Sequence, residues 1–231
     1  MEELSRTSAL IGEENVQKLK EKKVIVLGVG GVGGYICEAL ARTGVGQIDL
    51  VDSDEVSLSN INRQIIALHS TVGQKKVEVM KARISDINEK IVVNIFDKFI
   101  TKDNLSEFNL KDYDYVIDAI DTVSSKIAIA EFCYNEGVNV ISSMGAGNKL
   151  NPYAFKVSDI HKTTVCPLAK AVRTELKKRG VKRLKVVYSD ETPVVPPRID
   201  ETGKRVPSSI AFIPSVVGLI IASEVIKDLT K

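Results

Sequence analysis

A glycine-rich segment, GVGGVGG at positions 28–34, most constrains the fold of this chain. It directly follows the apolar run KVIVLG at 23–28, which predicts a parallel strand covered on both faces, because such strands lack polar alternation. A helix is predicted from 32 to 43, immediately after the glycines. A strand, a glycine turn and a helix in this order present backbone amides and the positive end of a helix dipole to an anion. The segment therefore predicts the first βαβ unit of a nucleotide-binding domain.

The individual glycines and one aspartate support this interpretation. Gly28 permits a tight turn, and Gly33 lets the helix approach the strand. Gly30 and Gly31 leave no side chain between the backbone and a phosphate. Asp52 ends the second predicted strand, 19 residues beyond Gly33, where dinucleotide sites carry an acid that holds a ribose. By themselves, these residues favour an NAD-dependent oxidoreductase.

Predicted strands and helices alternate along residues 23–144, which indicates right-handed βαβ units. We therefore predict an α/β, Rossmann-like fold with a doubly wound, mostly parallel sheet. Within one domain, a helical lead-in at 1–22 precedes this core, and a strand and helix extension at 145–231 follows it. The proline-rich, charged segment 190–209 is predicted to be a mobile loop of the extension. The predicted strands are 23–28, 47–52, 91–96, 115–120, 139–144 and 154–160, and the predicted helices are 13–22, 32–43, 74–88, 124–136, 167–179 and 214–229.

Composition and cysteine content argue against several protein classes. The 231 residues are 44% hydrophobic and 27% charged, which is typical of a globular protein with a sizeable core. Three cysteines without a CxxC pair argue against a disulfide framework and against a four-cysteine zinc site. The longest apolar run, 210–222, is too short and interrupted to span a membrane, so it predicts a buried or dimer-interface helix. With no secretory signal in view, the expected location is the cytoplasm.

A dinucleotide site does not explain the polar block DSDEVSLSNINRQ at 52–64. Chemistry at a triphosphate needs cations over the phosphates and acids that hold Mg²⁺. Arg63 offers a planar donor for phosphate oxygens, and Lys76 offers a point cation at a helix start. Asp118 and Asp121 follow the fourth strand at the carboxyl edge, where open α/β sheets bind ligands. Asp121 is the better candidate for Mg²⁺, because Asp118 still lies in or near the strand.

Each of these residues also has a purely structural interpretation. Arg63 could form a surface ion pair, Lys76 could belong to a solvated helix start, and Asp121 could cap the next helix. All three would then have to meet at the ligand-binding edge by chance, so we favour the phosphate site.

Four segments together resemble the E1-like adenylating family: the GxGGxG turn, the block 52–64, GQKKVE at 73–78 and DAIDT at 118–122. This family includes activators of sulfur-carrier and ubiquitin-like proteins, and tRNA threonylcarbamoyladenosine dehydratases. The resemblance runs from Arg6 to the C-terminus and implies a homodimer that binds ATP and Mg²⁺. The residues it implies for catalysis are Arg6, Arg63, Lys76 and Asp121, with Arg6 reaching into the neighbouring subunit and Asp121 holding the metal. The residues predicted to bind the nucleotide are Gly28, Gly30, Gly31, Gly33, Asp52, Asp54, Ser59, Asn60, Asn62, Arg63, Gln64, Lys76 and Asp121, of which Asp54 has no defined role.

Within this family, the segment 145–173 resembles the dehydratases. The resemblance implies that the threonyl carboxylate of N6-threonylcarbamoyladenosine in a tRNA is adenylated, and that the tethered carbamoyl group then closes on the activated carbonyl. Carrier-protein activators often hold two CxxC pairs for zinc, and this sequence has none. The alternatives are such an activator, an NAD-dependent oxidoreductase, and a binding module without turnover. A cysteine desulfurase or another sulfur-relay protein is an additional candidate partner.

A basic segment favours an RNA substrate. Residues 170–185 contain eight Lys and Arg against a single acid, Glu175. By itself the pattern is typical of a solvated helix face, but beside an adenylating site it favours a surface for tRNA phosphates. The predicted RNA-binding residues are Lys162, Lys170, Arg173, Lys177, Lys178 and Arg179.

Cys166 has two interpretations. In carrier-activating relatives a cysteine of this region can carry the acyl group as a thioester, and a position at a helix start favours a thiolate. A dehydratase needs no enzyme thiol. Cys37 and Cys133 are predicted core residues, and the two histidines, His69 and His161, have no spacing that indicates a metal site or a catalytic triad.

Overall fold

The computed structural model describes residues 3–231 except 197, 200–202 and 204. Helices and strands alternate through the first part of the chain, as the hydrophobic pattern predicts. The helices are α1 (Ser5–Ile11), α2 (Glu13–Lys20), α3 (Gly33–Thr43), α4 (Lys76–Ile87), α5 (Val123–Glu136), α6 (Pro167–Lys178) and α7 (Phe212–Leu229). The strands are β1 (Lys23–Leu27), β2 (Gln47–Val51), β3 (Ile95–Phe96), β4 (Tyr115–Asp118), β5 (Val140–Ser143), β6 (Phe155–Asp159), β7 (Lys185–Ser189), β8 (Arg198–Ile199) and β9 (Arg205–Val206).

Strands β1 to β7 form one sheet in the order β3-β2-β1-β4-β5-β7-β6, and β8 pairs with β9 in a separate ribbon. Neighbours in the large sheet are parallel except for β6 and β7. Leu27 at the end of β1 is in register with Val51 of β2 and with Asp118 of β4. The carboxyl ends of these three strands therefore share one edge, as expected for a ligand-binding sheet. This topology confirms the predicted Rossmann-like α/β class.

Strand β7 is not among the predicted strands, and β3 is shorter than its prediction. The apolar residues of β7 follow directly on the basic segment, which masks their pattern. In the sheet β7 lies between β5 and β6, and every side chain from Val186 to Ser189 is buried. The third predicted strand, 91–96, is regular only at Ile95–Phe96, with an isolated bridge at Val92. An edge strand has a neighbour on one side only, so its pairing ends early.

The lead-in and the long loop also differ from their predictions. The lead-in contains two helices, because Gly12 has a φ of +90° that separates α1 from α2. The described part of the predicted mobile loop 190–209 contains the ribbon of β8 and β9. Residues 197, 200–202 and 204 of that loop lie outside the described residues, and its mobility stays a prediction.

Helices cover both faces of the sheet. Ile36 of α3 and Val217 of α7 belong to the core on one face, and a Cβ on Gly218 would lie 2.6 Å from the carbonyl oxygen of Val32. Cys37 and Cys133 are buried as predicted, and burial raises the pKa of both thiols. Helix α7 buries Ile213, Val217 and Ile221 of the last apolar run, whereas Phe212 and Leu219 are exposed, so the dimer-interface alternative stays a prediction. None of the helices in the described part of the chain has the length and apolarity needed to cross a bilayer.

Candidate nucleotide-binding site

Two glycines of the turn between β1 and α3 are required by close backbone contacts. Gly28 has a φ of +94°, and a Cβ there would lie 2.9 Å from the carbonyl oxygen of Ala119. A Cβ on Gly33 would lie 1.8 Å from the carbonyl oxygen of Gly28. Any side chain at either position would collide with backbone atoms. The turn is therefore held tightly between β1, α3 and the loop that follows β4.

Gly30 lies on an open side of the turn, whereas Gly31 lies against α7. A Cβ on Gly30 would meet Gln64 Nε2 at 3.9 Å, and one on Gly31 would lie 3.2 Å from Pro214 and 3.6 Å from Cγ of Arg63. Among the described residues, no side chain caps the N-terminus of α3. The turn thus offers an anion space at Gly30 and the positive end of a helix.

Asp52 ties the end of β2 to the glycine turn. Its Oδ2 accepts a hydrogen bond from the backbone amide of Val29 at 2.7 Å, and its Oδ1 accepts one from the amide of Asp54 at 2.9 Å. Burial raises the pKa of the Asp52 carboxyl, and the Lys76 ammonium and the two amides offset only part of this effect. Each carboxyl oxygen keeps a second lone pair, so the predicted contact with a ribose hydroxyl remains open.

Lys76 is a buried cation, which excludes the interpretation as a solvated helix start. Only 6% of its side chain is exposed, and Nζ lies 2.6 Å from Asp54 Oδ2 and 3.9 Å from Asp52 Oδ1. The neighbouring Lys75 is the more solvated of the two and pairs with Glu55 and Asp97. The sequence assigned no role to Asp54. In the structure the Asp54 carboxylate pairs with the Lys76 ammonium at the edge of the site.

The remaining polar residues of the block shape its loop. Asn60 is buried, and its Oδ1 accepts a hydrogen bond from the amide of Ser57 at 3.1 Å. The Asn62 side chain donates to the carbonyl oxygen of Ser209 at 3.1 Å, which joins this loop to the C-terminal extension. Ser59 is exposed and lends its carbonyl oxygen to Arg63. These hydrogen bonds fix the conformation of the block, so Asn60 and Asn62 have a structural role in its loop.

Arg63 and Gln64 end the block beside the glycine turn. Arg63 Nη1 donates to the carbonyl oxygen of Ser59 at 2.7 Å and to Asn62 Oδ1 at 2.9 Å. It forms no ion pair with any described residue, so the interpretation as a surface ion pair is wrong. Gln64 Oε1 is buried without a hydrogen-bond partner in the described part of the chain. Such an oxygen costs about 1–3 kcal/mol, and a hydroxyl or amino group of a nucleotide would satisfy it. The residues present therefore fit a nucleotide.

The two aspartates after β4 have different environments. Asp118 is fully buried, and its Oδ2 lies 2.9 Å from Nζ of Lys126 and 2.5 Å from Oγ of Ser142. Asp121 is exposed and forms no hydrogen bond or ion pair within the described chain. Thr122 occupies the cap position of α5, so the interpretation of Asp121 as that cap is wrong. Lys126 is absent from the predicted residues; its only sequence signal is a lone lysine in the apolar run SSKIAIA.

The donor set fits a magnesium ion shared with phosphates. The described residues contain no group of three His, Cys, Asp or Glu side chains that would hold a metal alone. Mg²⁺ commonly binds through one or two carboxylates together with substrate phosphates. An unpaired carboxylate at Asp121, on the edge that carries the glycine turn, matches that pattern.

The predicted RNA-binding residues divide into two groups. Lys162, Lys170 and Lys177 are exposed, and their side chains have no charged partner in the described chain. The others already have partners: Arg173 donates to Thr163, Lys178 pairs with Glu175, and Arg179 pairs with Glu131.

Arg6 and Cys166 have contrasting exposure. Arg6 is exposed on α1, a fully described helix that buries none of its own residues. Cys166 is only 2% exposed at the start of α6, and its Sγ would lie 3.5 Å from a Cβ on Gly145. A thiol that carries an acyl group must reach its donor, and this burial argues against that role.

Comparisons with known proteins agree with this geometry. The sequence model of the ThiF family matches residues 4–231. A tRNA threonylcarbamoyladenosine dehydratase of Bacillus subtilis is 48% identical over 244 residues, which cover 100% of this chain and 96% of that protein. The protein of that name from Escherichia coli is 40% identical over 198 residues, which cover 82% of this chain and 74% of the relative. A crystal structure of the E. coli enzyme in complex with ATP is similar with a TM-score of 0.90 at 35% identity, and covers 99% of this chain and 93% of that one. Because the match extends over nearly every residue, the chain belongs to the ThiF family.

Proposed function

We propose that this protein is an ATP-dependent tRNA threonylcarbamoyladenosine dehydratase. The observation that carries the proposal is the buried Lys76 ammonium beside the glycine turn, in a chain that a dehydratase matches along its whole length. A buried cation at an anion-binding turn is suited to neutralising phosphate charge. An NAD-dependent oxidoreductase would leave Lys76, Arg63 and Asp121 without a role.

The proposed reaction has two steps. An oxygen of the threonyl carboxylate attacks the α-phosphorus of ATP, and the bond to the leaving pyrophosphate breaks. The carbamoyl group then attacks the activated carbonyl, loses a proton, and expels AMP, which retains the carboxylate oxygen. The net result is loss of water from the modified nucleoside, driven by ATP. The second nucleophile is already tethered, so ring closure has a large entropic advantage.

The residues of the site divide these tasks. The glycine turn and α3 bind phosphates, Asp52 accepts from the ribose, and Gln64 accepts from the nucleotide. Lys76 and Arg63 neutralise the charge that develops on the phosphates. Mg²⁺ would supply further neutralisation when held by Asp121 and phosphate oxygens.

A homodimer and a tRNA surface complete the proposal. Exposed Arg6 on a helix that buries nothing in its own chain is available to the site of a second copy. Lys162, Lys170 and Lys177 keep free ammonium groups for tRNA phosphates. The cytoplasmic location rests on the RNA substrate alone.

Pyrophosphate release tests the proposal. It is measured with tRNA that carries threonylcarbamoyladenosine, with unmodified tRNA and without RNA. We expect release only with the modified tRNA, together with loss of water from the nucleoside by mass spectrometry. Release that ignores the modification would contradict the proposal.

Two variants test the assigned chemistry. Asp121→Asn is expected to abolish turnover without loss of stability, because the carboxylate is exposed and unpaired; wild-type turnover would remove the metal assignment.

Cys166→Ser is expected to keep full activity. A requirement for Cys166, with capture of a carrier-protein tail, would support the activator alternative instead.

A further inference from the structure

Three buried polar side chains meet below the carboxyl edge of the sheet. Lys126 of α5, Asp118 of β4 and Ser142 of β5 are each 1% exposed. Lys126 Nζ donates to Asp118 Oδ2 at 2.9 Å and to Ser142 Oγ at 3.1 Å, and Ser142 Oγ donates to Asp118 Oδ2 at 2.5 Å. The three groups close a ring of hydrogen bonds, which we call the Lys126 cluster. Solvent reaches none of the three side chains.

The Lys126 cluster continues into the loop that carries Asp121. The second oxygen of Asp118, Oδ1, accepts from the amide of Ile120 at 3.3 Å. The next contact along the loop is the amide of Ala119, which donates to the carbonyl oxygen of Leu27 at 2.8 Å. The carbonyl oxygen of Ala119 lies so near Gly28 that a Cβ added there would be 2.9 Å from it. The loop 118–122 is therefore fastened to the glycine turn on one side and to the Lys126 cluster on the other.

Stability alone does not explain a charged pair at this place. Replacing a buried ion pair by well-packed apolar residues is often neutral or stabilising, because desolvation offsets the Coulomb attraction. A fixed geometry is the property that such a pair adds. Here the geometry is that of Asp118, whose two oxygens connect α5 and β5 to the backbone just before Asp121.

We infer that Lys126 is a positioning residue of the adenylation site. Through Asp118 it fixes the loop 118–122, so that the Asp121 carboxylate faces the phosphates bound at the glycine turn. Lys126 itself touches neither nucleotide nor metal. The role of Asp121 in this inference rests on the proposed function. The positioning of the loop by Lys126 rests on the hydrogen bonds described above.

The test replaces the pair by apolar side chains of similar size, Asp118→Leu with Lys126→Met. This double variant leaves no uncompensated charge, so it is expected to fold. The matched control is Asp114→Leu with Lys22→Met, which removes the lysine–aspartate contact at the other end of β4. Three quantities are measured: hydrogen exchange of the amides of 119–121 in the free protein, the dissociation constant of ATP with and without Mg²⁺, and the kinetic constants with modified tRNA.

In the double variant we expect the loop 118–122 to become less ordered and Mg²⁺ to enhance ATP binding less. Exchange at 119–121 should rise about tenfold in the Asp118/Lys126 variant while amides of β1 and β2 keep their protection. The gain in ATP affinity on adding Mg²⁺ should fall about tenfold, with ATP binding in the absence of Mg²⁺ unchanged. The kcat should fall with little change in KM for tRNA. The control should show none of these effects.

Wild-type exchange at 119–121 and wild-type coupling to Mg²⁺ in the double variant would overturn the inference, as would equal effects in the control. If the double variant fails to fold, Ser142→Ala carries the same measurements, because it keeps both charges and removes one hydrogen bond; its expected effect is about threefold. The exchange and ATP arms need no tRNA. A wild-type protein that binds ATP but does not dehydrate the nucleoside would therefore sink the proposed function and leave this inference standing.

Discussion

Two lysine–aspartate contacts stand on either side of the glycine turn, and they differ in their access to solvent. Lys76 reaches Asp54 and Asp52 beyond β2, and 67% of the Asp54 side chain is exposed. Lys126 reaches Asp118 at the end of β4, and both of those side chains are 1% exposed. Strands β2 and β4 both pair with β1, so the two contacts flank the same turn.

This difference in solvent exposure means that the Lys76–Asp54 pair can exchange partners, whereas the Lys126–Asp118 pair cannot. In the proposed function a phosphate takes the place of Asp54 at Lys76, and water can then solvate the exposed Asp54 carboxylate. The closed pair at Lys126 has no such alternative, because an unpaired charge there would remain buried. We therefore expect changes at Lys76 to act mainly on catalysis, and changes at Lys126 to act on stability and on the position of the loop 118–122.

Lys126→Met is expected to have the largest effect. Removing one partner of a buried pair leaves an uncompensated carboxylate and typically costs about 3–5 kcal/mol in the free energy of unfolding. Urea denaturation of this variant and of the Asp118→Leu/Lys126→Met double variant measures the loss, and the double variant should recover most of it. A loss below about 1 kcal/mol in the single variant would show that the pair is solvated like an exposed one.

Lys76→Met is expected to lower kcat/KM for ATP by about 10²–10³-fold, the range seen when a group that stabilises transition-state charge is removed. Its free energy of unfolding should fall less than in Lys126→Met, because Asp54 stays in water and the buried Asp52 keeps its two backbone amide donors. Steady-state release of pyrophosphate and urea denaturation measure both effects. Lys75→Met is the matched control and should leave both near wild type. A large loss of stability in Lys76→Met without a kinetic effect would mean that Lys76 is structural and not catalytic.

A third ion pair, Lys185 with Asp228, lies at the amino-terminal edge of the sheet, away from the glycine turn, and serves as a comparison for the two pairs beside the turn. Burial opposes ionisation of Asp228, but hydrogen bonds from Lys185, Lys231 and Tyr115 outweigh it and lower the pKa of this carboxyl to about 2. Its stabilising effect is therefore complete above the unfolded pKa of about 3.9 and is lost as the pH falls through 2.

Asp228→Asn should lower the free energy of unfolding by about 1 kcal/mol at pH 7, after screening by solvent. The difference from wild type should shrink between pH 4 and pH 2, roughly the interval between the two pKa values. Urea denaturation across this range is the measurement. A difference that stays constant with pH would mean that the ion pair contributes nothing.

Asp54→Asn is expected to have the smallest effect. A phosphate would no longer displace a carboxylate from Lys76, so KM for ATP should fall about threefold at low salt, with kcat unchanged. Lys76 should keep its place, since its stem is buried and Asp52 remains nearby. A tenfold rise in KM would instead mean that Asp54 itself contacts the nucleotide or its metal.

Local patterns account for the parts of the site that were predicted. The glycine turn follows from steric limits at Gly28 and Gly33, and the alternation of apolar runs predicted the parallel sheet. The conflicts arise where one pattern masks another. Strand β7 follows a basic segment. Half of the predicted RNA-binding residues form contacts within the chain: Lys178 pairs with Glu175 of its own helix, and Arg173 and Arg179 contact Thr163 and Glu131 of other segments.

The sequence by itself determined the fold class, the glycine turn and the family, because these depend on residue types at fixed spacing along the chain. Only the tertiary structure decided which lysine meets which aspartate. Lys76 and Asp54 are 22 residues apart, and Lys126 of α5 and Asp118 of β4 are 8 apart on different elements, so both contacts depend on how the helices pack against the strands. A spacing pattern reports the local preference of one element, whereas an ion pair between elements depends on where both of them come to rest. For that reason the sequence predicted Lys76 without its partner and did not predict Lys126.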